Sequence, residues 1–578
     1  MRRATTMKLL LILALSAGTA ALASEVDHRE FEATLHVPYR ADGAGDARTF
    51  TLNFDYPLVA RAQDVTWRLE LVSPSGQVVR RWQGVERLFR QPRDVKVQWA
   101  GREGNAALPD GVYQVRMQAV ARNAPGRGKP ATLNEEETDR ALAAPLAEGE
   151  DLVEQSWEIG VGQNSAPAMP GFRALATSAT AAPAAMAGVR AAMAATASLP
   201  YTVYYGNLHS QTNHSDGGGA IATCTGAQAP QSAALGPTDA YIYAMNKGLD
   251  ILMTSEHNHM YDGSDATNTA ADPAVAKALY QSGLTAAADF NAAHPHFLAI
   301  YGLEWGVISN GGHMNIFNTP ELLEWELNSA GLLIGDTLTP KSDYAGLYTL
   351  MRQRGWVGQF NHPAASGQFV VNGVALGYTA DGDQAMALCE VLNTSAFSAN
   401  TNETETGRSS YEGACNKALE AGYHLAFSSD QDNHCANWGA SYTNRTGVLI
   451  PNGTALSTTG FLDAVRARRV FATMDKGSQL VLTANGHLMG ERFTNSGALN
   501  LVANYASTGG KTVSTVVIYE GVPGRNGTVS QLSATANTTI TPAPGDHFYY
   551  AKVTQNDGNI LWSAPVWVSQ SAGRGAGK

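Results

Sequence analysis

Cysteine is scarce in this 578-residue chain. Only Cys224, Cys389, Cys415 and Cys435 occur, and none forms a Cys-x-x-Cys pair, so neither a zinc ribbon nor a thiol redox motif is expected. Positive charge is also short. Lys and Arg total 40 against 51 Asp and Glu, and the net charge of -11 gives no electrostatic reason to bind nucleic acid. Long apolar runs are missing beyond the first residues, so no membrane-spanning helix is expected in the body of the chain. There is no Gly-rich phosphate loop and no internal repeat. The remaining composition, 44% hydrophobic and 16% charged, is that of a globular protein, and its length predicts several domains.

The N-terminus has the layout of a secretory signal. Arg2, Arg3 and Lys8 precede a short apolar run at 9–15 and the small-x-small site Ala21-Leu22-Ala23. Removal after Ala23 predicts a periplasmic or secreted protein with no membrane anchor after cleavage; a retained anchor is the alternative. Residues 24–163 alternate in short β-patterned runs and resemble an immunoglobulin-like β-sandwich, a module that more often spaces or docks than catalyses. The stretch 164–199 is rich in Ala, Ser, Thr, Met and Pro and is expected to be a linker. Residues 200–475 alternate strand and helix patterns, 476–569 return to a β-sandwich pattern, and 570–578 form a loose tail.

The chemistry is concentrated in 200–475. Five apolar runs, at 201–205, 249–254, 297–303, 356–360 and 424–428, each lead into His or carboxylate residues. With 314–317 and 387–392 they give about seven strands. Buried parallel strands that deliver such side chains at their C-terminal ends predict a barrel with a polynuclear metal site at its top face. An open doubly wound sheet would gather them at a single switch point instead.

The ordered motifs are Asn207-Leu208-His209-x-x-Thr212 with Ser215-Asp216-Gly217, Glu256-His257-Asn258, Gly302-x-Glu304-Trp305, Gly312-His313-Met314-Asn315, Asn361-His362-Pro363, and Ser429-Asp430 through His434. On these motifs the region resembles the PHP family, the polymerase and histidinol phosphatase hydrolases. The resemblance implies a distorted (β/α)7 TIM-like barrel, so the expected fold is α/β, that barrel flanked by the N-terminal and C-terminal β-sandwiches read from the patterning above. It also implies two or three divalent metal ions (Zn, Mn or Fe) in three subsites. The first would use His209, the position of Gln211, Glu304 and an acid after the last strand, either Asp430 by its place at the strand end or Asp432 by its spacing to His434. The second would share Glu304 and add His313 and His362. The third would use Asp216, His257 and His434. Imidazole nitrogen and carboxylate oxygen suit these cations, and a carboxylate can bridge two of them. Gln211 departs from the family's His-x-His, since a Gln carbonyl is a neutral, weaker donor. Glu256, where the family often has Asp, is not expected to be a ligand.

The expected function is a secreted metal-dependent hydrolase, a phosphoesterase acting through a metal-bridging hydroxide on a small-molecule ester. Glu304 would fix the metal separation, with His259 or His214 as leaving-group acid. Arg352, Arg354 and Arg445 are candidates for phosphate contact. Two alternatives stay open: hydrolysis of non-phosphate esters, carbamates or amides, favoured if Trp305, Trp356 and Trp438 line the pocket, or a catalytically degenerate binding or adhesion protein. The insertion 217–231 is either a lid or an inert loop. Four cysteines allow three pairings, and Cys224–Cys435 with Cys389–Cys415 is expected because the first two flank the implied metal-binding loops. Buried free thiols are the alternative.

Overall fold

The computed structural model describes residues 31–572 apart from 42–44, 57–58, 60, 90, 127, 148–149, 151, 179–198, 309, 364–369, 372–373 and 376. The expected signal, most of the expected linker and residues 573–578 of the tail lie outside the described residues. The protein is mixed α/β, with many strands and few helices. Among the described residues no helix is long and apolar enough to cross a membrane.

The N-terminal part has two antiparallel sheets. One contains Glu32–His36, Arg48–Asp55 and Arg93–Trp99; the other contains Val78–Leu88, Gln63–Val72, Gly111–Asn123 and Leu152–Val161. Alternating burial along Arg48–Asp55 sends Phe50, Leu52 and Phe54 into a core shared with Trp67, Leu69 and Ile159. The helix Glu135–Ala143 packs beside the second sheet. It starts from a capping box in which Asn134 and Glu137 each bond the other's backbone N–H.

The central part is a run of paired strands. Tyr201–Asn207 pairs in parallel with Ile251–His257, which pairs in parallel with Leu298–Val307. Gly312–Phe317 then runs antiparallel to both Leu298–Val307 and Gly358–Phe360. Gly358–Phe360, Met386–Thr394 and Ala426–Asp430 pair in parallel. The expectation of uniformly parallel strands therefore fails at one strand. Only four residues join Val307 to Gly312, which permits a hairpin and not a crossover. Between the segments that follow the last strand and the first, a parallel bridge joins Ser210 to Asn433, with Gln211 N–H donating to Asn433 O and Asp432 N–H to His209 O. The helices Pro237–Asn246, Pro273–Ala293, Tyr344–Arg354 and Glu412–Ala421 cover the outer face. The strands are buried on both faces: Leu298 and Ile300 join one apolar cluster, while Tyr301, Leu303 and Trp305 join another.

Tyr201–Asn207 also pairs antiparallel with Arg445–Pro451, which pairs with Val470–Thr473, which pairs with Ile560–Ser563 of the C-terminal part. That part adds the sheet of Ser478–Ala484, Leu499–Ser507 and Asn537–Ile540, and the ladders of Val513–Gly521, Gly545–Gln555 and Val566–Gln570. Both disulfides form as Cys224–Cys435 and Cys389–Cys415.

Candidate metal centre

The first motif forms a tight loop after Tyr201–Asn207. Glu256 organises it, accepting from the Thr212 hydroxyl at 2.6 Å, the Thr212 N–H at 3.0 Å and the Ser215 hydroxyl at 2.6 Å. Burial, reinforced by nearby Asp216, pushes the Glu256 carboxyl up to about 7 despite these donors. Gly217 is required here because a Cβ would overlap the backbone of Gln211. The loop thereby turns Asp216 back toward the end of Ile251–His257.

Glu304 is the hub. Its Oε2 lies 3.0 Å from His209 Nε2 and 3.5 Å from His257 Nδ1, and its Oε1 lies 3.1 Å from His313 Nδ1 and 3.3 Å from His362 Nε2. Four imidazoles from four segments thus surround one carboxylate. His313 opens the antiparallel strand, so it reaches the same mouth that the other strands reach with their ends. Burial alone would raise the Glu304 carboxyl, but His209, His313 and His257 outweigh it and hold it well below the usual range. Burial likewise opposes charge on His209, and the carboxylates of Asp432, Glu304 and Glu390 overcome it and raise that imidazole well above its ordinary value.

Three groups of donor atoms each fall within 4.8 Å of one another: His209 with His362 and Asp432; His257 with Glu304 and His313; and Asp216 with His257 and His434. The third is the set implied by the family resemblance. The first two regroup it, with His362 beside His209 and Asp432, and His257 reaching Glu304 as well as Asp216. Asp432, not Asp430, is the acid that lies beside this group: its Oδ1 is 3.1 Å from His209 Nε2. Asp430 is occupied elsewhere, accepting from Leu208 N–H at 2.7 Å, the Thr446 hydroxyl at 3.0 Å and the Gln359 amide at 3.1 Å. Position at the strand end misled because Asp430 is still within the strand, whereas Asp432 sits in the following turn at a φ of 49°. His362 also has a positive φ, 26°. Backbone in this region is uncommon for non-glycine residues and marks positions held by their surroundings.

Gln211 reaches the cluster through its nitrogen. Its Nε2–H donates to Glu304 Oε2 at 2.6 Å, an arrangement in which the amide offers a cation no lone pair. Asn361 does the same for Glu304 Oε1 at 2.8 Å. His214 is not brought to the cluster. It bonds the Tyr301 hydroxyl at 2.6 Å, and Tyr301 and Glu304, three residues apart on one strand, face opposite sides. Burial lowers His214 to about 4. His259 does lie alongside, its ring centre 5.9 Å from that of His257 and stacked on Trp325, with Nε2 at 3.4 Å from Asp265.

Arg352 pairs with Asp381, Arg354 with Glu321 and Arg445 with Glu403, so each candidate arginine is committed away from the cluster. Trp305 and Trp438 are buried packing, their indole N–H groups donating to Thr339 and to the Gln211 carbonyl; Trp356 is only half-buried. The insertion 217–231 is fastened by Cys224–Cys435 and by Gly219 N–H to His434 O, which does not suit a lid. Sequence reasoning missed Glu390, a buried carboxylate whose oxygens lie 3.3 Å from His209 Nδ1 and 2.6 Å from His362 N. Its signal was available, a lone acid inside the apolar strand Met386–Thr394.

No family model matches the chain, and no curated protein matches it. Among solved structures it is similar to a two-domain protein from Bacteroides vulgatus described as containing a PHP-like metal-dependent phosphoesterase. That match has 13% identity, covers 70% of this chain and 100% of the other, and has a TM-score of 0.31. It is also similar to a putative beta-galactosidase from Bacteroides fragilis, at 10% identity over 94% of this chain and 74% of the other, with a TM-score of 0.13. Scores this low leave the functional reading to rest on the residues themselves.

Proposed function

We propose that this protein is a metal-dependent hydrolase of phosphoesters that works in an oxidising compartment outside the cytoplasm. The observation that carries the reading is Glu304 ringed by His209, His257, His313 and His362, with Asp216, Asp432 and His434 completing the set. Buried carboxylates and imidazoles at this density are costly without counter-charge, and the donors are those that bind zinc, manganese or iron. The donor set therefore fits two or three divalent cations. Such cations supply Lewis-acid activation of water and of a phosphoryl oxygen, and their positive charge suits an anionic ester.

The chain's own residues do the rest. Glu304 holds the donor groups together, and Gln211 and Asn361 keep its carboxylate ionised and oriented through their amide N–H groups. In this reading His259, its ring centre 5.9 Å from that of His257, delivers a proton to the leaving group. Its Nε2 is turned to Asp265, and its buried Nδ1 has no hydrogen-bond partner among the described residues. Paired disulfides fit a compartment where they persist.

The commitment of all three candidate arginines elsewhere favours a second reading, hydrolysis of neutral carboxylic esters, carbamates or amides. Metal quantification of the purified protein, joined to a panel of chromogenic phosphate and carboxylate esters, separates the readings. Bound divalent ions with phosphoesterase activity that His362→Ala abolishes are the expected result. Ions with carboxylesterase activity alone support the second reading. A metal-free, inactive protein would sink both and leave a binding module.

A further inference from the structure

We propose that Glu390 is a positioning residue that fixes the tautomer of His209 and the turn at His362, and so sets cation affinity at the His209, His362 and Asp432 group without touching the cation. The proposal rests on the metal-centre reading given above.

Glu390 belongs to none of the three donor groups. It is fully buried in a strand whose neighbours are Cys389, Val391 and Leu392. A β-bulge falls between Glu390 and Leu392 in the pairing with Ala426–Asp430, and bulges re-aim side chains. The Cys389–Cys415 disulfide anchors the adjacent residue, and the Tyr411 N–H holds the Val391 carbonyl. The strand therefore presents the carboxylate from a fixed base.

Its two oxygens meet two donors. Oε2 accepts the His362 backbone N–H at 2.6 Å, which steadies a residue held at a φ of 26°. Oε1 lies 3.3 Å from His209 Nδ1. An ionised carboxylate has only acceptor sites, so it favours the proton on Nδ1 and leaves the Nε2 lone pair for the cluster. That lone pair faces Glu304 Oε2 at 3.0 Å and Asp432 Oδ1 at 3.1 Å, acceptors that a cation bound there would share with it. One side chain thus governs two of the three members of this group.

Glu390→Gln tests the idea with almost no change of shape. A carboxamide has one acceptor oxygen where two donors must be met. The His362 N–H cannot change, so it keeps the oxygen. The NH2 group then faces His209 Nδ1, which must accept, and the ring proton moves to Nε2, where it blocks the cation. The assay is Zn2+ titration of the metal-stripped full-length protein against a chromogenic chelator. Expected for Glu390→Gln is one site weakened by about 10–100-fold, with the remaining sites and the thermal midpoint unchanged. In a His209→Ala background, Glu390→Gln should produce no further loss, because it acts through that ring.

Wild-type affinity at every site overturns the proposal, as does an additive loss in the His209→Ala background. A variant that fails to fold also overturns it, by assigning Glu390 to the framework. Failure of the wild-type protein to bind Zn2+ would instead overturn the metal-centre reading itself, so the two failures are distinguishable.

Discussion

Two aspartates two residues apart should fail in opposite ways. Asp430→Ala removes the acceptor of the Leu208 N–H; the Thr446 hydroxyl also has Ser429 O, and Gln359 also has Asn361 Oδ1. One buried backbone donor is orphaned, at roughly 1–3 kcal/mol, and a small void adds about 1 kcal/mol, for a total of roughly 2–4 kcal/mol. Burial and neighbouring Glu390 push the Asp430 carboxyl up to about 7, so at neutral pH much of it is already protonated and the loss is that of near-neutral hydrogen bonds. Its cations should stay. Asp432→Asn is different. Asn tolerates the left-handed backbone at this position, so stability should shift by less than about 1 kcal/mol. The charge 3.1 Å from His209 Nε2 is gone, and affinity at that group should fall at least about 100-fold, the upper end of what even supporting partners cost. Urea unfolding and metal content after dialysis are measured on both variants. Cation loss from a stable Asp430→Ala, with full retention by Asp432→Asn, would refute the assignment.

Gln211→His should tighten cation binding beside His209 and Glu304, read as slower loss to a chelator; weaker binding would show that the Gln211 amide is needed where it is. In the chain-entropy account, serine replacement of Cys224 and Cys435, 211 residues apart, should cost about 5 kcal/mol, against about 3.5 kcal/mol for Cys389 and Cys415, 26 apart; the reverse order in denaturant midpoints would contradict it. Burial raises Asp55 from 3.8 to about 6. A raised acid binds its proton more tightly folded than unfolded, so its cost appears as pH climbs from about 4 to 6 and is complete above that. Because the side chain is partly exposed, Asp55→Asn should add about 1–2 kcal/mol at pH 7 and nothing at pH 4. An equal gain at both pH values would point to another cause.

Strand ends were readable because period and composition mark them: Ile251–His257 and Leu298–Val307 begin within two residues of where the apolar runs begin. The cluster was readable for the same reason, since His257, Glu304 and His362 each end or follow such a run. Asp432 was legible only through its spacing to His434, as an alternative to Asp430, because a turn residue with positive φ has no hydrophobic pattern to locate it. The reversal of Gly312–Phe317 was hidden because fully buried strands carry no sign of direction, and only the four-residue connection betrays it. Glu135–Ala143 and Thr458–Arg466 were overlooked although Asn134 and Ser457 cap them, because local start signals are weak without a long apolar stripe. Glu390 escaped because it sits in the middle of Met386–Thr394, away from the strand end where the other candidates lie.

The ladder that runs from Tyr201–Asn207 through Arg445–Pro451 and Val470–Thr473 to Ile560–Ser563 ties the segment that leads into the His209 loop to the C-terminal half by main-chain bonds. Trimming the gene near codon 475 would strip Val470–Thr473 of a partner and bare a row of amide and carbonyl groups. Such a shortened product should clump rather than stay dispersed, and any minimal version for screening should extend through Gln570.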